Sequence, residues 1–390
     1  DHRDLHSFPT RRSSDLKDWT HPPYGAEIHD GKLFGRGAID DKGPAVAALF
    51  AMRAIHETRL PVRRRARLII GGDEESGWAC MDHYFRHEEQ PLMGFTPDAM
   101  FPIIIAEKGI VDLKLTRTCV WPGPGSLLRL RGGERPNMVP DWAEAELAGQ
   151  ESFLEEVEQL ASAWDHPEMR RLSCQRKEGR ILLQVRGVSA HGSTPEQGVN
   201  AIAILLSFLT RLLQDTNENR EEKDAWRQLT RWAADTSGSE LNLDLEDSYT
   251  GHLTANLGTL QLEGNELSAV WNIRYPLHHD AESIRARVQE RTFPGGSWSV
   301  AGGHPPLHVD EGHPLVTTLK KVYEMETGEK AELLSIGGGT YARALEVGVA
   351  FGPLFPGREE MAHKKDEYID LDDLVRCCKI YANALYELMQ

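Results

Sequence analysis

The hydrophobic positions in the first and last parts of the chain follow the pattern of an α/β fold. Short apolar runs bounded by turn residues predict buried strands at residues 66–70, 103–106 and 331–336. Apolar residues at helical spacing predict helices at residues 45–58, 315–326 and 371–388. Because helices and apolar strands are interspersed here, we expect a mainly parallel central sheet flanked by helices.

The middle of the chain, from about residue 110, has a different pattern. Apolar and polar residues alternate there, as in residues 111–115, and this alternation predicts antiparallel strands with one face in water. Helical patterns lie between these strands, for example at residues 151–163 and 201–213. We therefore expect an inserted α+β domain at residues 110–308, which divides the α/β domain into residues 17–109 and 309–390.

The first 16 residues differ from both regions. They carry neither apolar periodicity nor the apolar core of a signal peptide. The run from His6 to Leu16 resembles a short-read sequencing adapter translated in one frame, and a disordered basic leader is the alternative. We expect residues 1–16 to be a non-native leader that replaces a truncated N-terminus, with the native sequence beginning near Lys17.

Charge and cysteine usage exclude several classes of function. The chain has 60 acidic and 44 basic residues and a formal charge of −16, which argues against a nucleic-acid partner. No apolar run reaches the roughly 20 residues of a membrane-spanning helix, so we expect no membrane partner. The five cysteines are scattered without metal or redox spacing, and this favours reduced thiols in the cytoplasm.

Four carboxylates stand at the predicted borders of strands, and a histidine occurs in a polar segment near the end of the chain: Asp40, Glu74, Glu75, Asp98 and His363. Each has a simpler interpretation when taken alone. Asp40 could cap a helix, Glu74 and Glu75 could form a solvated acidic turn, and Asp98 could be a turn residue. Together, oxygen ligands and an imidazole suit zinc, manganese or cobalt better than calcium.

Five segments in this order resemble the co-catalytic metallopeptidases related to aminoacylase, carnosinase and carboxypeptidase G. Within that family they are similar to the PepV-type bacterial dipeptidases. The segments are GRGAIDDKGP at 35–44, GGDEESG at 71–77, PDAMFP at 97–102, VSAHGSTPEQGVNA at 188–201 and HKKDE at 363–367. The resemblance implies a discontinuous α/β catalytic domain whose inserted α+β domain acts as a lid.

The resemblance also implies two divalent metal ions, with zinc favoured and manganese or cobalt as alternatives. Asp40 would bridge the two ions, and the peptide bond that follows it would be cis. Glu75 and His363 would complete the ligands of one ion, and Asp98 would bind the other. Glu74 would remain unligated and act as the general base on a metal-bridged water.

In the inserted domain the resemblance implies residues that contact substrate. His191 would stabilise the oxyanion, although a lone Ala-His-Gly is more often a polar turn. Asn137 and Arg274 would bind the C-terminal carboxylate of a dipeptide; an arginine at a strand end is otherwise most often a surface charge. The glycine-rich loop at Gly339 and Thr340 could offer backbone N–H groups to the same carboxylate, or be a simple turn.

One part of the family pattern is absent. The family carries a His-x-Asp segment upstream of the bridging aspartate, at the place where the adapter-like run stands in this chain. The resemblance implies that the first helix and strand of the sheet are lost with it. The expected function is hydrolysis of dipeptides or short peptides with a free C-terminal carboxylate, although the chain as it stands could be inactive. The alternatives are an N-acyl-amino-acid deacylase and a catalytically dead binding homologue. The resemblance favours a monomer over a dimer.

Overall fold

The computed structural model describes residue 16 and residues 19–75, 77–164, 171–213 and 219–390. The expected leader at residues 1–16, apart from Leu16, lies outside the described residues. The helices are α1 Gly43–Thr58, α2 Ala79–Phe85, α3 Glu151–Ala163, α4 Ala201–Leu212, α5 Arg220–Ala234, α6 Ala281–Glu290, α7 Pro314–Thr327 and α8 Leu371–Leu388.

The strands are short in the outer parts of the chain and longer in its middle. They are β1 Glu27–His29, β2 Lys32–Phe34, β3 Gly94–Thr96, β4 Ala99–Met100, β5 Ile103–Glu107, β6 Gly109–Thr118, β7 Ser126–Gly132, β8 Trp142–Ala148, β9 Leu172–Lys177, β10 Arg180–Arg186, β11 Glu246–Asp247, β12 Gly251–His252, β13 Thr254–Glu263, β14 Glu266–Tyr275, β15 Ser297–His304, β16 Leu307–His308, β17 Leu333–Ile336, β18 Gly348–Ala350, β19 Pro353–Leu354 and β20 Tyr368–Asp370.

The chain divides into two compact units, and the first consists of Asp1–Glu107 and Leu307–Gln390. Its main sheet has the order β16-β5-β18-β3, and β17 also pairs with β5. Strand β5 is buried along its whole length because it lies inside this sheet. Helix α8 packs against α1 and α7, and small sheets β1-β2-β20 and β19-β4 complete the unit.

Local sequence explains where the helices of this unit begin and end. Pro314 occupies the first position of α7, where a missing N–H costs no hydrogen bond, and Gly328 ends that helix with a φ of 74°. Helix α8 follows Asp370, whose carboxylate accepts a hydrogen bond from the N–H of Asp372. The apolar faces of these helices are buried together with the aromatic rings of Phe101 and Tyr381.

Two expectations for this unit need correction. The main sheet is mixed: β17 and β5 are parallel, as are β3 and β18, whereas β16 and β18 pair with β5 in antiparallel fashion. Residues 66–70 were expected to form a buried strand, and this prediction is wrong, because the backbone there is irregular and Ile70 is 77% exposed. A strand needs the N–H and C=O groups of a neighbour, and no described strand pairs with these residues.

The second unit, Lys108–Pro306, contains an eight-stranded sheet in the order β15-β6-β14-β13-β7-β8-β10-β9. All neighbouring pairs in this sheet are antiparallel. Buried and less buried positions alternate along β6, as its sequence predicted, so that Val111, Leu113 and Leu115 face the core. Helix α4 packs on this sheet and follows Asn200, whose side chain accepts hydrogen bonds from two N–H groups of the first turn.

None of the helices in the described part of the chain has the length and apolar character that a membrane crossing requires.

Candidate active site

Three side chains from separate segments of the first unit converge. Asp40 lies just before α1, Glu75 precedes α2, and His363 precedes β20. The Nε2 atom of His363 lies 2.7 Å from Oδ2 of Asp40 and 2.5 Å from Oε1 of Glu75. The potential ligand atoms of all three lie within 4.8 Å of one another, so that a single ion could contact them together. Ser76, from the same acidic motif, lies outside the described residues.

The peptide bond between Asp40 and Asp41 is cis, which confirms the expectation drawn from the resemblance. Buried Glu367 holds the segment that leads into this bond. Its carboxylate accepts hydrogen bonds from the N–H groups of Gly37, Ile39 and Asp40 at 2.9, 3.0 and 3.1 Å. The guanidinium of Arg36 also donates to it, at 2.9 Å. Glu367 therefore fixes the position of Asp40 through the main chain.

Further carboxyl groups surround this trio. Loss of hydration raises the pKa of Glu74 to about 9, and the neighbouring charges of Asp98, Glu75 and Asp40 act in the same direction. Desolvation and the same kind of repulsion raise the pKa of Asp41 to about 10 and hold that of Asp98 well above its usual range. These neighbouring carboxyl groups can all be ionised only when a cation offsets their negative charge.

A buried oxygen without a hydrogen-bond partner is also consistent with a cation at this site. Oδ1 of Asp41 is buried and has no hydrogen-bond partner among the described residues. Hydrogen bonds to Asp40 and then Glu75 raise the pKa of His363 to about 10, so that its imidazolium carries the positive charge in the cluster without an ion. A divalent cation on the oxygens and Nε2 of this set would replace that proton.

Binding of Zn²⁺ to the chelator-stripped chain at pH 7 is therefore expected to release on the order of one proton or more per ion. The sign follows from the pKa values: His363, Glu74 and Asp41 hold protons at pH 7 in the ion-free state, and a cation lowers all three pKa values. Calorimetric titrations in PIPES and in HEPES, which differ in ionisation enthalpy, measure the number released. Identical apparent enthalpies in the two buffers would contradict the expectation.

The loop that carries Glu74 and Glu75 rests on Tyr341. The phenolic oxygen of Tyr341 accepts a hydrogen bond from the N–H of Asp73 at 3.2 Å and lies 3.1 Å from Sγ of Cys80. Its ring meets that of Trp78 edge-on, with centroids 5.6 Å apart. A Cβ at Gly71 would lie 2.5 Å from the same phenolic oxygen, so the loop can approach Tyr341 this closely only with glycine there.

The neighbouring residues Gly339 and Thr340 were expected to offer donors to a substrate carboxylate. Thr340 is buried, and both its N–H and its hydroxyl donate to the carboxylate of Glu107, at 3.2 and 2.7 Å. Arg343 also donates to Glu107, at 2.5 Å, and to the carbonyl of Gly338 at 3.0 Å. Both donors of Thr340 thus serve to hold this loop, which leaves Gly339 as the predicted donor.

In the second unit, His191 lies in a segment that pairs with residues 137–139. The N–H of Gly192 donates to the carbonyl of Asn137 at 2.7 Å, and the N–H of Val139 donates to that of Ala190 at 2.9 Å. Nδ1 of His191 lies 2.6 Å from the hydroxyl of Ser193 and 3.3 Å from its main-chain N–H. Ser193 therefore orients the imidazole ring of His191.

Arg274 is buried on β14, with only 4% of its surface exposed. Its Nε donates to Oδ1 of Asn272 at 2.8 Å, and Nδ2 of Asn272 donates in turn to Oδ1 of Asp112 at 2.6 Å. A Cβ at Gly192 would lie 3.0 Å from that same Oδ1 of Asn272, which places the His191 segment beside the Arg274 chain of hydrogen bonds. Within this unit the structure thus brings His191, Asn137 and Arg274 into one neighbourhood.

Four residues that position these groups were not predicted from the sequence: Glu367, Glu107, Tyr341 and Asn272. Glu367 ends the HKKDE segment, Tyr341 follows the loop at Gly339 and Thr340, and Asn272 is two residues before Arg274 on the same strand. Glu107 ends an apolar strand, where a buried carboxylate is unexpected unless it has partners. The position of Glu107 at the end of an apolar strand was the sequence signal that could have identified it.

Comparison with known proteins assigns the chain to a family. The model of Peptidase family M20/M25/M40 matches residues 11–387. The "Putative dipeptidase YtjP" of Bacillus subtilis (strain 168) is 45% identical over an alignment of 383 residues, which covers 95% of this chain and 79% of that protein. The "Putative dipeptidase" of Staphylococcus epidermidis (strain ATCC 12228 / FDA PCI 1200) is 34% identical over 380 residues, with the same shares.

Two solved structures share the fold at low sequence identity. Human carnosine dipeptidase 1 superposes with a TM-score of 0.52 and 14% identity, over 97% of this chain and 77% of that one. Aminopeptidase PepT from Bacillus cereus ATCC 10987 has the same TM-score and 16% identity, over 93% and 76%. The family match over nearly the whole chain and the two close relatives agree, and the chain belongs to Peptidase family M20/M25/M40.

Proposed function

We propose that this chain is a metal-dependent dipeptidase that hydrolyses dipeptides or short peptides with a free C-terminal carboxylate. The observation that carries the proposal is the convergence of Asp40, Glu75 and Nε2 of His363 within a cluster of further carboxylates. The names of the Bacillus and Staphylococcus relatives support dipeptides as the substrate class.

We propose that the residues near the trio divide into ligands and a base. Asp40, Glu75 and His363 would hold one divalent cation, and Asp98 would hold a second that Asp40 shares. Zinc fits the mixed oxygen and nitrogen donors best, with manganese and cobalt as alternatives. When bound, such ions supply Lewis acidity that polarises the scissile carbonyl and lowers the pKa of water.

Glu74 would take a proton from the attacking water as the new C–O bond forms, and deliver it to the leaving amine as the C–N bond breaks. His191 would donate from Nε2 to the oxygen that becomes negatively charged in the tetrahedral state. Arg274 and Asn137 would bind the C-terminal carboxylate of the substrate, with an N–H of the Gly339 loop as a further donor. We also propose a cytoplasmic location, which the absence of disulfides among the five cysteines supports.

Hydrolysis assays with two substrate classes test the proposal. Unblocked dipeptides and N-acetyl amino acids are offered to the same preparation with added Zn²⁺ or Mn²⁺, before and after treatment with a chelator. We expect hydrolysis of the dipeptides that disappears with chelator and returns with metal. Cleavage of N-acetyl amino acids alone would identify a deacylase instead, and metal binding without any hydrolysis would indicate a binding homologue.

Arg274→Ala is expected to raise KM for free dipeptides by about 10- to 100-fold, since charged hydrogen bonds contribute roughly 1.5–3 kcal/mol. For C-terminally amidated dipeptides, which lack the carboxylate, KM should rise much less. Asp112→Asn is a useful companion, because it disturbs the hydrogen bond to Asn272 and leaves the guanidinium in place. An equal rise in KM for free and amidated substrates would contradict a contact between Arg274 and the carboxylate.

A further inference from the structure

Imidazole and carboxylate groups converge at a second place in the first unit, on strand β1 and the loop before it. Oε2 of Glu27 lies 2.9 Å from Nε2 of His29 and 3.6 Å from Nδ1 of His21. The ligand atoms of all three side chains lie within 4.8 Å of one another. One carboxylate oxygen is therefore approached by a nitrogen from each of two histidines.

We propose that His21, Glu27 and His29 form a further zinc site, separate from the Asp40, Glu75 and His363 trio. In a tetrahedral site with bonds of 2.0–2.1 Å, neighbouring ligand atoms are roughly 3.3 Å apart. The two separations from Glu27, 2.9 and 3.6 Å, lie on either side of that value. The separation between the two imidazole nitrogens is within 4.8 Å, so side-chain rotation would bring the three atoms to this spacing, and water would complete the coordination.

The ligand types of this set favour zinc. Two imidazoles and one carboxylate suit zinc and its neighbours among the transition metals, and they suit calcium or magnesium poorly. The rings of His21 and His29 are stacked with centroids 4.6 Å apart, so both imidazoles lie beside the same carboxylate. Exposed fractions of 24%, 42% and 50% for His21, Glu27 and His29 leave the site open to ions in solution.

The position of the site suggests that the ion acts as a structural clip. Oδ1 of Asp366 accepts hydrogen bonds from the N–H groups of Thr20 and His21, at 2.7 and 3.2 Å. The ring of Phe34 on β2 lies 4.1 Å from that of His21. An ion held by His21 and His29 would therefore fasten residues 20–21 to the β1–β2 hairpin, and through Asp366 to the segment that carries His363.

The chain provides a matched control in a second histidine pair. His83 and His87 are one turn apart on and just after α2, with ring centroids also 4.6 Å apart. Nδ1 of His87 lies 2.8 Å from the carbonyl oxygen of His83, and the pair is not part of either group of potential metal ligands found among the described residues. Loss of His83 should therefore not affect the proposed site.

Equilibrium dialysis of the full chain against buffered Zn²⁺, after removal of metal by chelator, tests the proposal by stoichiometry. His29→Ala should bind one equivalent of zinc fewer than the wild type, and Glu27→Gln should weaken that equivalent by at least about 10-fold. His83→Ala should bind as the wild type does. Equal stoichiometry and affinity in all four proteins would overturn the proposal. The outcome is independent of any peptidase activity.

Diffraction at the zinc absorption edge gives a second measurement that does not depend on the folding of any variant. Wild-type crystals grown with zinc at the dialysis concentration should show an anomalous peak between His21, Glu27 and His29. No peak there would overturn the proposal. So would a peak seen only at millimolar zinc with unchanged dialysis of His29→Ala, which would mean an adventitious ion only.

Discussion

Glu74→Gln is expected to lower kcat for dipeptide hydrolysis by about 10²–10⁴-fold, the range that a general base contributes, with metal content unchanged. Glu74 lies close enough to Asp98, Glu75 and Asp40 for their charges to raise its pKa, and it is not one of the trio of converging ligand atoms. Glutamine preserves the shape of the side chain, but it carries no charge and cannot act as a base. KM should change little, because no proposed substrate contact is lost.

The adjacent glutamate gives the control for this experiment. Glu75→Gln should lose bound metal as well as activity, because Oε1 of Glu75 is one of the three proposed ligand atoms. Metal analysis of both purified variants, beside steady-state kinetics, separates a base from a ligand. If Glu74→Gln lost metal to the same extent as Glu75→Gln, Glu74 would be a ligand, and the proposed base would be wrong.

The parts of the fold that could be predicted from the sequence are those set by local patterns. Helices α3 and α8 have the predicted bounds, because apolar spacing at 3.6 residues per turn marks the face that each one buries. The alternation along β6 likewise predicted an antiparallel strand. The convergence of Asp40, Glu75 and His363 was anticipated only through the resemblance of ordered motifs, since no local pattern relates residues so far apart in the chain.

The features that were missed depend on long-range partners. An apolar run such as residues 66–70 becomes a strand only when another strand pairs with it, and its own sequence does not contain that information. Glu107 and Thr340 are 233 residues apart, and Glu367 lies 327 residues from Asp40. A buried carboxylate is recognisable only together with the donors that neutralise it, and sequence spacing does not reveal which donors the fold supplies.

Glu367→Gln is expected to lower the free energy of unfolding by about 3–5 kcal/mol, the usual cost of breaking one side of a buried ion pair. The side chain of Glu367 is 1% exposed, and its two oxygens accept one hydrogen bond from Arg36 and three from main-chain N–H groups. The glutamine amide would turn an NH₂ group towards donors. Buried N–H groups would then lack an acceptor, and the guanidinium would lose its counter-charge.

The same substitution should weaken metal binding, because the N–H of Asp40 is one of the donors that Glu367 holds. Chemical denaturation and zinc titration of Glu367→Gln, beside Glu57→Gln, measure both effects. Glu57 forms an exposed ion pair with Arg53 on α1, and its loss should leave stability and zinc affinity close to those of the wild type. Because a rigid metal site depends on the groups that orient its ligands, we expect zinc affinity to fall by about 10- to 100-fold in Glu367→Gln. Wild-type zinc affinity in a destabilised Glu367→Gln would show that Asp40 keeps its position without this carboxylate, and that Glu367 serves the fold alone.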